Sequence, residues 1–310
     1  MRVLLVTNIY PTNAKPTHGV YVAEQAQSLI ARGHQVEVLH LRRFGQRARY
    51  VSAIAEITRA RRRFRPDLIH AHYGLTGAVA VLQPLPIVVT YHGSDVMVAW
   101  QRRVSRVASR RASANVVVSE RQRILLGAPR TQVIPCGVDP ELFRPYPRHE
   151  ARARLHLDLT ERWILFAGAF DNPVKNYALL EAALAEAPGL AVRVKEMAGV
   201  ARSDVPWWMG ATDVLVLTSH SEGSPMVVKE ALFCGLPVIA TPVGDVVERI
   251  GAVSGCHVVD PDPRAVITAL QTVLERRERI NRPQSLDDLS LSRIAERIES
   301  VYHAVLRERE

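Results

Sequence analysis

The chain reads as an α/β protein with parallel sheets, and three observations predict it. Short runs of branched apolar residues at 3–6, 87–89 and 214–217 show no polar alternation, as strands buried on both faces do. Stretches with apolar residues at helical spacing separate them, for example 20–31 with Val22, Ala26, Leu29 and Ile30. Loops rich in Asn, Pro, Thr and Gly follow the strands, at the carboxyl edge where open α/β sheets bind ligands.

The first strand is 3–6. Its apolar run stops at Val6 and Asn8 follows, so this segment is a strand and not a signal peptide. A loop over 7–19 and a helix over 20–31 lead through Arg32-Gly-His34 to a strand over 36–39, a β–loop–α–β unit. No Gly-x-Gly-x-x-Gly is present here, which weakens a dehydrogenase reading. Residues 42–65 carry nine arginines in a helical stretch whose apolar side is Val51, Ile54, Ile57 and Ala60. Asp67-Leu-Ile-His-Ala-His72 and Ile87-Val-Val-Thr-Tyr-His-Gly-Ser-Asp95 are strands that end in polar residues. His70 and His72 share a strand face, but without a third ligand they do not make a metal site. A second arginine-rich helix covers 100–113, and 115–119 is a further strand.

Pro140, Pro145 and Pro147 mark a linker. Beyond it, Trp163-Ile-Leu-Phe-Ala-Gly168 is a strand, followed by a loop to Lys175-Asn176 and a helix over 177–186. One strand lies within 191–200, and a helix begins at Pro206. After the strand at 213–219, Gly223, Ser224 and Pro225 open a helix, with Ser224 as its cap and Pro225 in its first turn. Gly235 stops that helix, 237–240 is the next strand, and a helix at 246–250 follows. Late helices start at Arg264 and Leu291.

A length of 310 residues suits two ordinary domains or one large one, and 47% hydrophobic with 23% charged residues is globular composition. No apolar run approaches the roughly 18–20 residues of a membrane span. Cys136, Cys234 and Cys256 are widely spaced and odd in number, which predicts reduced thiols and a cytoplasmic protein. The net charge of +9 is uneven: residues 1–145 hold 21 Lys/Arg against 8 Asp/Glu, and residues 146–310 hold 19 against 23. The first part is therefore a candidate surface for an anionic partner.

Glu222 and Glu230 bracket the N-terminus of the helix opened at Ser224, at the carboxyl end of a predicted parallel strand. A carboxylate on a helix is usually solvated. Val227, Val228, Ala231 and Leu232 surround Glu230, however, and a charge in an apolar stretch needs a partner or a ligand. Glu222, seven intervening residues, Glu230, then Ala231, Gly235 and Pro237-Val238, resembles the signature of retaining glycosyltransferase family 4, the glycosyl transferases group 1, which have the GT-B fold.

The resemblance implies two Rossmann-like domains with parallel sheets facing across a cleft: residues 1–140 for the acceptor, residues 141–290 for the nucleotide-sugar donor, and a helix over 291–310 crossing back to the first domain. The second domain is a shortened one, lacking room for a strand, turn and helix that most members carry before Ala198-Gly-Val200. Glu222 is implied to contact the donor hexose and Glu230 the ribose hydroxyls, with Gly223, Ser224, Pro225, Met226 and Val227 lining the donor. Gly19 and Gly168 are the close-approach glycines, and Met197 and Val200 border the base. Tyr91-His-Gly-Ser-Asp95 resembles the segment whose His contacts the hexose, so His92 is implied in catalysis, with His72, Tyr73 and Asp95 on the acceptor side. Lys175 is the implied diphosphate cation. Three positions depart from the family pattern: His18-Gly19 stands for a Gly-Gly pair, Cys136 for Asn, and Ala169 for the Arg of the diphosphate clamp.

The activity so implied is transfer of a hexose-type sugar from a nucleotide-diphosphate sugar to a hydroxyl acceptor, with retention, without a metal or other cofactor, in polysaccharide, glycolipid or secondary-metabolite synthesis. An anionic membrane surface, at the inner face of the membrane, is a candidate partner and nucleic acid is not expected. Two competitors share the fold, a non-catalytic sugar-nucleotide binder suggested by Ala169 and a nucleotide-sugar epimerase or hydrolase. A basic nucleic-acid-binding protein competes from another class, and it leaves Glu222 and Glu230 unexplained.

Overall fold

The computed structural model describes residues 1–42 and 49–308, and the chain forms two compact units: residues 1–137 with 289–310, and residues 138–288. Unit 1 runs β1 (Arg2–Thr7), α1 (Val20–Ala31), β2 (Gln35–His40), α2 (Arg49–Phe64), β3 (Leu68–His72), α3 (Gly74–Ala80), β4 (Ile87–Tyr91), α4 (Ser94–Met97), α5 (Ala99–Arg111), β5 (Ala114–Val117), α6 (Glu120–Leu126) and β6 (Thr131–Val133). Its strands pair in parallel in the order β2-β1-β3-β4-β5-β6. The chain leaves β1 on one side and returns on the other, so the switch point lies between the carboxyl ends of β1 and β3.

Both faces of this sheet are covered, which is why its strands read as unbroken apolar runs. On one face Leu4 and Val6 pack with Ala53, Ile57 and Ala60 of α2. On the other, Val3 and Leu29 of α1 meet Ile298, Val301 and Tyr302 of the last helix, α13, which spans Leu291–Arg307. The apolar stripe of α2 differs from the expected one. It is formed by Ala53, Ile57 and Ala60 with the expected Ile54 packed beside them, and Val51 is 75% exposed because it lies about 120° around the helix from Ile57. Arg43 and Arg47 of the expected arginine-rich stretch lie outside the described residues.

Unit 2 runs α7 (Arg148–Arg154), β7 (Trp163–Phe166), α8 (Tyr177–Ala185), β8 (Arg193–Glu196), α9 (Val205–Ala211), β9 (Val214–Leu217), α10 (Met226–Phe233), β10 (Val238–Ala240), α11 (Val246–Ile250), β11 (His257–Val258) and α12 (Pro263–Arg276). The parallel order β11-β10-β9-β7-β8 places its switch point between the carboxyl ends of β7 and β9. Ile164, Phe166, Val214 and Val216 pack beneath Leu180 of α8 and Leu270 of α12. The short strands β6 and β11 are absent from the sequence reading, since a polar Thr-Gln-Val and a two-residue His-Val carry no usable period.

At the opposite end of β9, Asp213 organises the base of unit 2. Its buried carboxylate accepts the Trp163 N–H at 2.8 Å and meets Arg148 at 3.0 Å, Arg152 at 3.2 Å and Arg277 at 3.4 Å. Arg152 is itself fully buried, and its remaining N–H groups donate to the carbonyls of Asp158, Leu159, Glu161 and Ala211. Removing Asp213 strands a buried guanidinium. Asp213→Ala should lower the unfolding free energy by about 3–5 kcal/mol in urea titration, and a loss below 1 kcal/mol would show that the carbonyls alone satisfy Arg152.

Candidate functional site

The switch point of unit 2 gathers the loops after β7 and β9. Thr218, at the end of β9, donates its hydroxyl to the carbonyls of Lys175 at 3.0 Å and Asn176 at 2.9 Å, and the His220 N–H donates to the Val174 carbonyl at 2.9 Å, so the two loops are sewn together. Asn176 takes a left-handed conformation, φ 53°, and turns the chain into α8. Gly168 leaves room for the Lys175 stem: a Cβ there would stand 2.6 Å from Lys175 Cγ. The stem so placed brings Nζ to 2.7 Å from Glu222 Oε1, which also accepts the Ser219 hydroxyl at 2.8 Å. Both members of the pair are partly exposed.

Glu230 lies one turn into α10 and is only 3% exposed. Arg202 meets it at 2.6 Å, and the guanidinium carbon of Arg202 sits 4.4 Å over the Phe143 ring. The N-terminus of α10 begins at Met226 with Pro225 in the capping position and no side-chain cap, which leaves the first backbone N–H groups for an anion. Ser224 is therefore not the cap. Its hydroxyl donates instead to Asp245 Oδ2 at 2.8 Å, while Arg249 meets the same oxygen at 2.9 Å. Gly244, φ 59°, brings the backbone against the same loop, since a Cβ there would come within 2.9 Å of the Gly223 carbonyl oxygen.

In unit 1 the switch point holds an aromatic and imidazole cluster. His92 Nε2 lies 2.8 Å from His72 Nδ1, with the rings stacked at 5.1 Å, and His92 Nδ1 lies 3.6 Å from Cys136 Sγ. His72 stacks in turn on His70 at 4.5 Å, and His70 is satisfied by the Tyr302 hydroxyl at 2.6 Å and the Thr90 hydroxyl at 2.7 Å. Tyr21 and Tyr73 hold their rings 4.9 Å from His92 and share a hydrogen bond through their hydroxyls. Tyr73 has φ 74°, an outlying backbone conformation for a bulky side chain, of the kind that collects at functional sites. Asp95 accepts the N–H groups of Gly93 at 2.8 Å and of His92 and Gly74 at 3.2 Å. Burial raises the Asp95 carboxyl to about 6, lowers His70 to about 3 and holds His72 well below the usual imidazole range.

Residues 18–142 match the family model for Glycosyltransferase Family 4, and residues 163–276 match that for Glycosyl transferases group 1. The chain belongs to glycosyltransferase family 4. It is a glycosyltransferase. A Bacillus subtilis (strain 168) protein provisionally named the teichuronic acid biosynthesis glycosyltransferase TuaC is 28% identical, across 93% of this chain and 92% of that one. The D-inositol 3-phosphate glycosyltransferase of Thermobispora bispora is 29% identical, across 76% of this chain and 69% of that one. Among solved structures, Anabaena HepE in complex with UDP and glucose superposes with a TM-score of 0.79 at 19% identity, over 98% of this chain and 100% of that one. The sucrose-phosphate synthase of Thermosynechococcus elongatus superposes with a TM-score of 0.74 at 20% identity, over 100% and 97% of the two chains. The fold is GT-B.

Within this glycosyltransferase, Gly168, Lys175, Glu222, Gly223, Ser224, Pro225, Met226 and Val227 meet at one sheet edge, joined by Glu230 through α10. Met197, whose N–H donates to the Phe166 carbonyl at 3.1 Å, and Val200 follow β8, the strand paired with β7. Gly19 lies in unit 1 with φ 75°, packed so that a Cβ would stand 2.7 Å from the Ile9 carbonyl oxygen. Lys175, the implied diphosphate cation, is paired with Glu222, and Arg202 with Glu230. One expectation changes. His72 and Asp95, expected on the acceptor side, are buried beneath the surface, so they support His92 and its loop, whereas Tyr73 is half-buried with its hydroxyl on that of Tyr21.

Sequence reasoning missed Ser219, Asp245 and the buried Lys229, whose Nζ lies 3.8 Å from Met226 Sδ. The apolar flanks that single out Glu230 apply equally to Lys229, and they were the available signal.

The buried titratable groups of unit 1 make its stability depend on pH. His70 and His72 stay neutral when folded and take up protons only on unfolding, so stability falls as pH drops below about 6.5; Asp95 opposes this, because between about pH 4 and 6 the folded state binds its proton more tightly. Asp95→Asn removes the opposing group and should steepen the loss of unfolding free energy between pH 6 and 4 by up to about 1.4 kcal/mol per pH unit, as read by denaturant titration. Parallel pH curves for the two proteins would contradict this.

Proposed function

We propose that this glycosyltransferase moves a hexose-type sugar from a nucleotide-diphosphate sugar to a hydroxyl acceptor, with retention at the anomeric carbon and no metal in the reaction. The observation that carries the reading is the Lys175–Glu222 pair at the unit 2 switch point, beside the uncapped N-terminus of α10. The leaving nucleoside diphosphate gains negative charge as the glycosidic bond breaks, and a lysine with preorganised backbone N–H groups is suited to stabilise it. On donor binding the diphosphate takes Lys175, and Glu222 is released to accept sugar hydroxyls. Glu230 receives the ribose hydroxyls, with Arg202 holding its carboxylate in place. By the family resemblance, His92 is assigned a contact with the hexose. The acceptor's proton passes to the leaving phosphate, so no protein general base is needed.

The HepE structures with UDP and with UDP-glucose make the uridine donor the first to try, and the names of the relatives suggest a carbohydrate-type acceptor. A thermal-shift screen of UDP-, GDP-, ADP- and TDP-sugars finds the donor, and turnover with and without EDTA then tests the rest. Lys175→Ala should lower turnover on the order of 100-fold with a smaller change in donor KM. Glu230→Ala should weaken the free nucleoside diphosphate about 10- to 100-fold, the value of a charged hydrogen bond. Near-normal turnover in Lys175→Ala would misplace the diphosphate. Loss in EDTA restored by manganese would make the reaction metal-dependent, and donor binding without turnover would make the protein a sugar-nucleotide binder.

Unit 1 is also proposed to rest on an anionic membrane surface. Among the described residues no helix is long and apolar enough to cross a membrane, but α5 exposes Trp100 at 56% and Val107 at 52% along a face that carries Arg103, Arg106, Arg110 and Arg111. An aromatic ring and aliphatic groups among arginines suit the headgroup boundary, where each basic residue contributes about 1 kcal/mol. Liposomes containing phosphatidylserine should float the protein at low salt, and replacing Arg103, Arg110 and Arg111 by Ser should abolish this. Equal recovery on neutral liposomes, or none on either, would remove the membrane from the reading.

A further inference from the structure

Cys136 stands where the family pattern has Asn, and its sulfur meets the His92 imidazole. Both ring nitrogens of His92 are engaged within that unit, Nδ1 with Cys136 Sγ at 3.6 Å and Nε2 with His72 Nδ1 at 2.8 Å. A neutral imidazole has one N–H and one lone pair, so these two bonds must run in the same sense. Either the thiol donates to Nδ1 and Nε2–H donates to His72, or His72 donates to Nε2 and Nδ1–H donates to sulfur. Among the described residues His72 Nε2 is buried without a hydrogen-bond partner and is left unmatched in both cases, once as a donor and once as an acceptor, at comparable cost. The sulfur therefore decides. Thiol sulfur is a weak acceptor, whereas an imidazole lone pair accepts well even from a weak donor, and this favours the first sense.

We propose that Cys136 is a positioning residue that fixes His92 in the Nε2–H tautomer by donating its S–H to Nδ1. The stack on His72 and the flanking rings of Tyr21 and Tyr73 hold the ring plane, and the thiol sets which nitrogen carries the proton. A ring fixed in this way meets a ligand as a rigid neutral surface and not as a proton shuttle. An Asn amide can donate N–H to the same nitrogen, so the family residue and Cys136 are interchangeable in this role.

Two-bond proton–nitrogen spectra of the imidazoles, with His92 assigned by its loss in His92→Asn, read the tautomer directly. The native protein should show Nε2 protonated and Nδ1 bare. Cys136→Ser and Cys136→Asn should keep that signature, and Cys136→Ala should give mixed tautomers. A protonated Nδ1 in the native protein, or a Cys136→Ala spectrum identical to it, overturns the proposal. The kinetic arm rests on the reading of His92 as a hexose contact: kcat should fall about five- to tenfold in Cys136→Ala and recover in Cys136→Asn. A changed spectrum with unchanged kinetics supports the tautomer assignment and counts against the hexose contact alone.

Discussion

Carboxylates set beside a buried sheet edge need cations, and the arrangement of unit 2 follows from that need. Glu230 lies almost wholly beneath the surface on a helix whose other buried residues, Lys229 apart, are apolar, and an uncompensated charge there would cost several kcal/mol. Arg202 reaches it from the segment after β8, with its guanidinium braced on Phe143. Glu222 is held by Lys175 from the loop after β7, and that contact depends on Gly168 having no side chain and on Thr218 pinning the lysine's carbonyl. Two separate loops, after β7 and after β8, are thus tied to two carboxylates beside the topological switch point. The same contacts hold the charges that the donor proposed above would meet.

Unit 1 solves a different problem with the same topology. Its switch point is filled by imidazoles and phenols in place of ion pairs, and burial keeps His70 and His72 neutral. Tyr302 anchors this stack from α13, so the last helix of the chain satisfies a histidine on the third strand. Asp95 ties the His92 loop to the start of α3 through three backbone N–H groups. The strained backbone of Tyr73 is held by the neighbouring strand β4, through its N–H to the Thr90 carbonyl, and by the helix that follows, through Gly77. One unit therefore offers charge and the other shape.

The α/β class, both sheet edges that carry loops and the Glu222/Glu230 signature were legible in the chain, because branched apolar runs and their loop punctuation are local properties. Helix ends were less so. Ser224 looks like a cap until Asp245, twenty-one residues later, takes its hydroxyl. Val51 looks like part of an apolar face until the packing of Ile57 and Ala60 on the sheet sets the rotation of α2. The strands β6 and β11 exist only as additions to a sheet edge, and their own residues do not announce them.

By itself the sequence determined the parallel-sheet architecture, the glycosyltransferase signature and which side chains could supply charge, since each depends on residue type and spacing along the chain. The tertiary structure decided who meets whom. Lys175 and Glu222 are 47 residues apart, Arg202 and Glu230 are 28 apart, and His92 and Cys136 are 44 apart. Such pairs arise when separate crossovers end at one sheet edge, and no local pattern records the loop geometry that closes the last few ångströms between them.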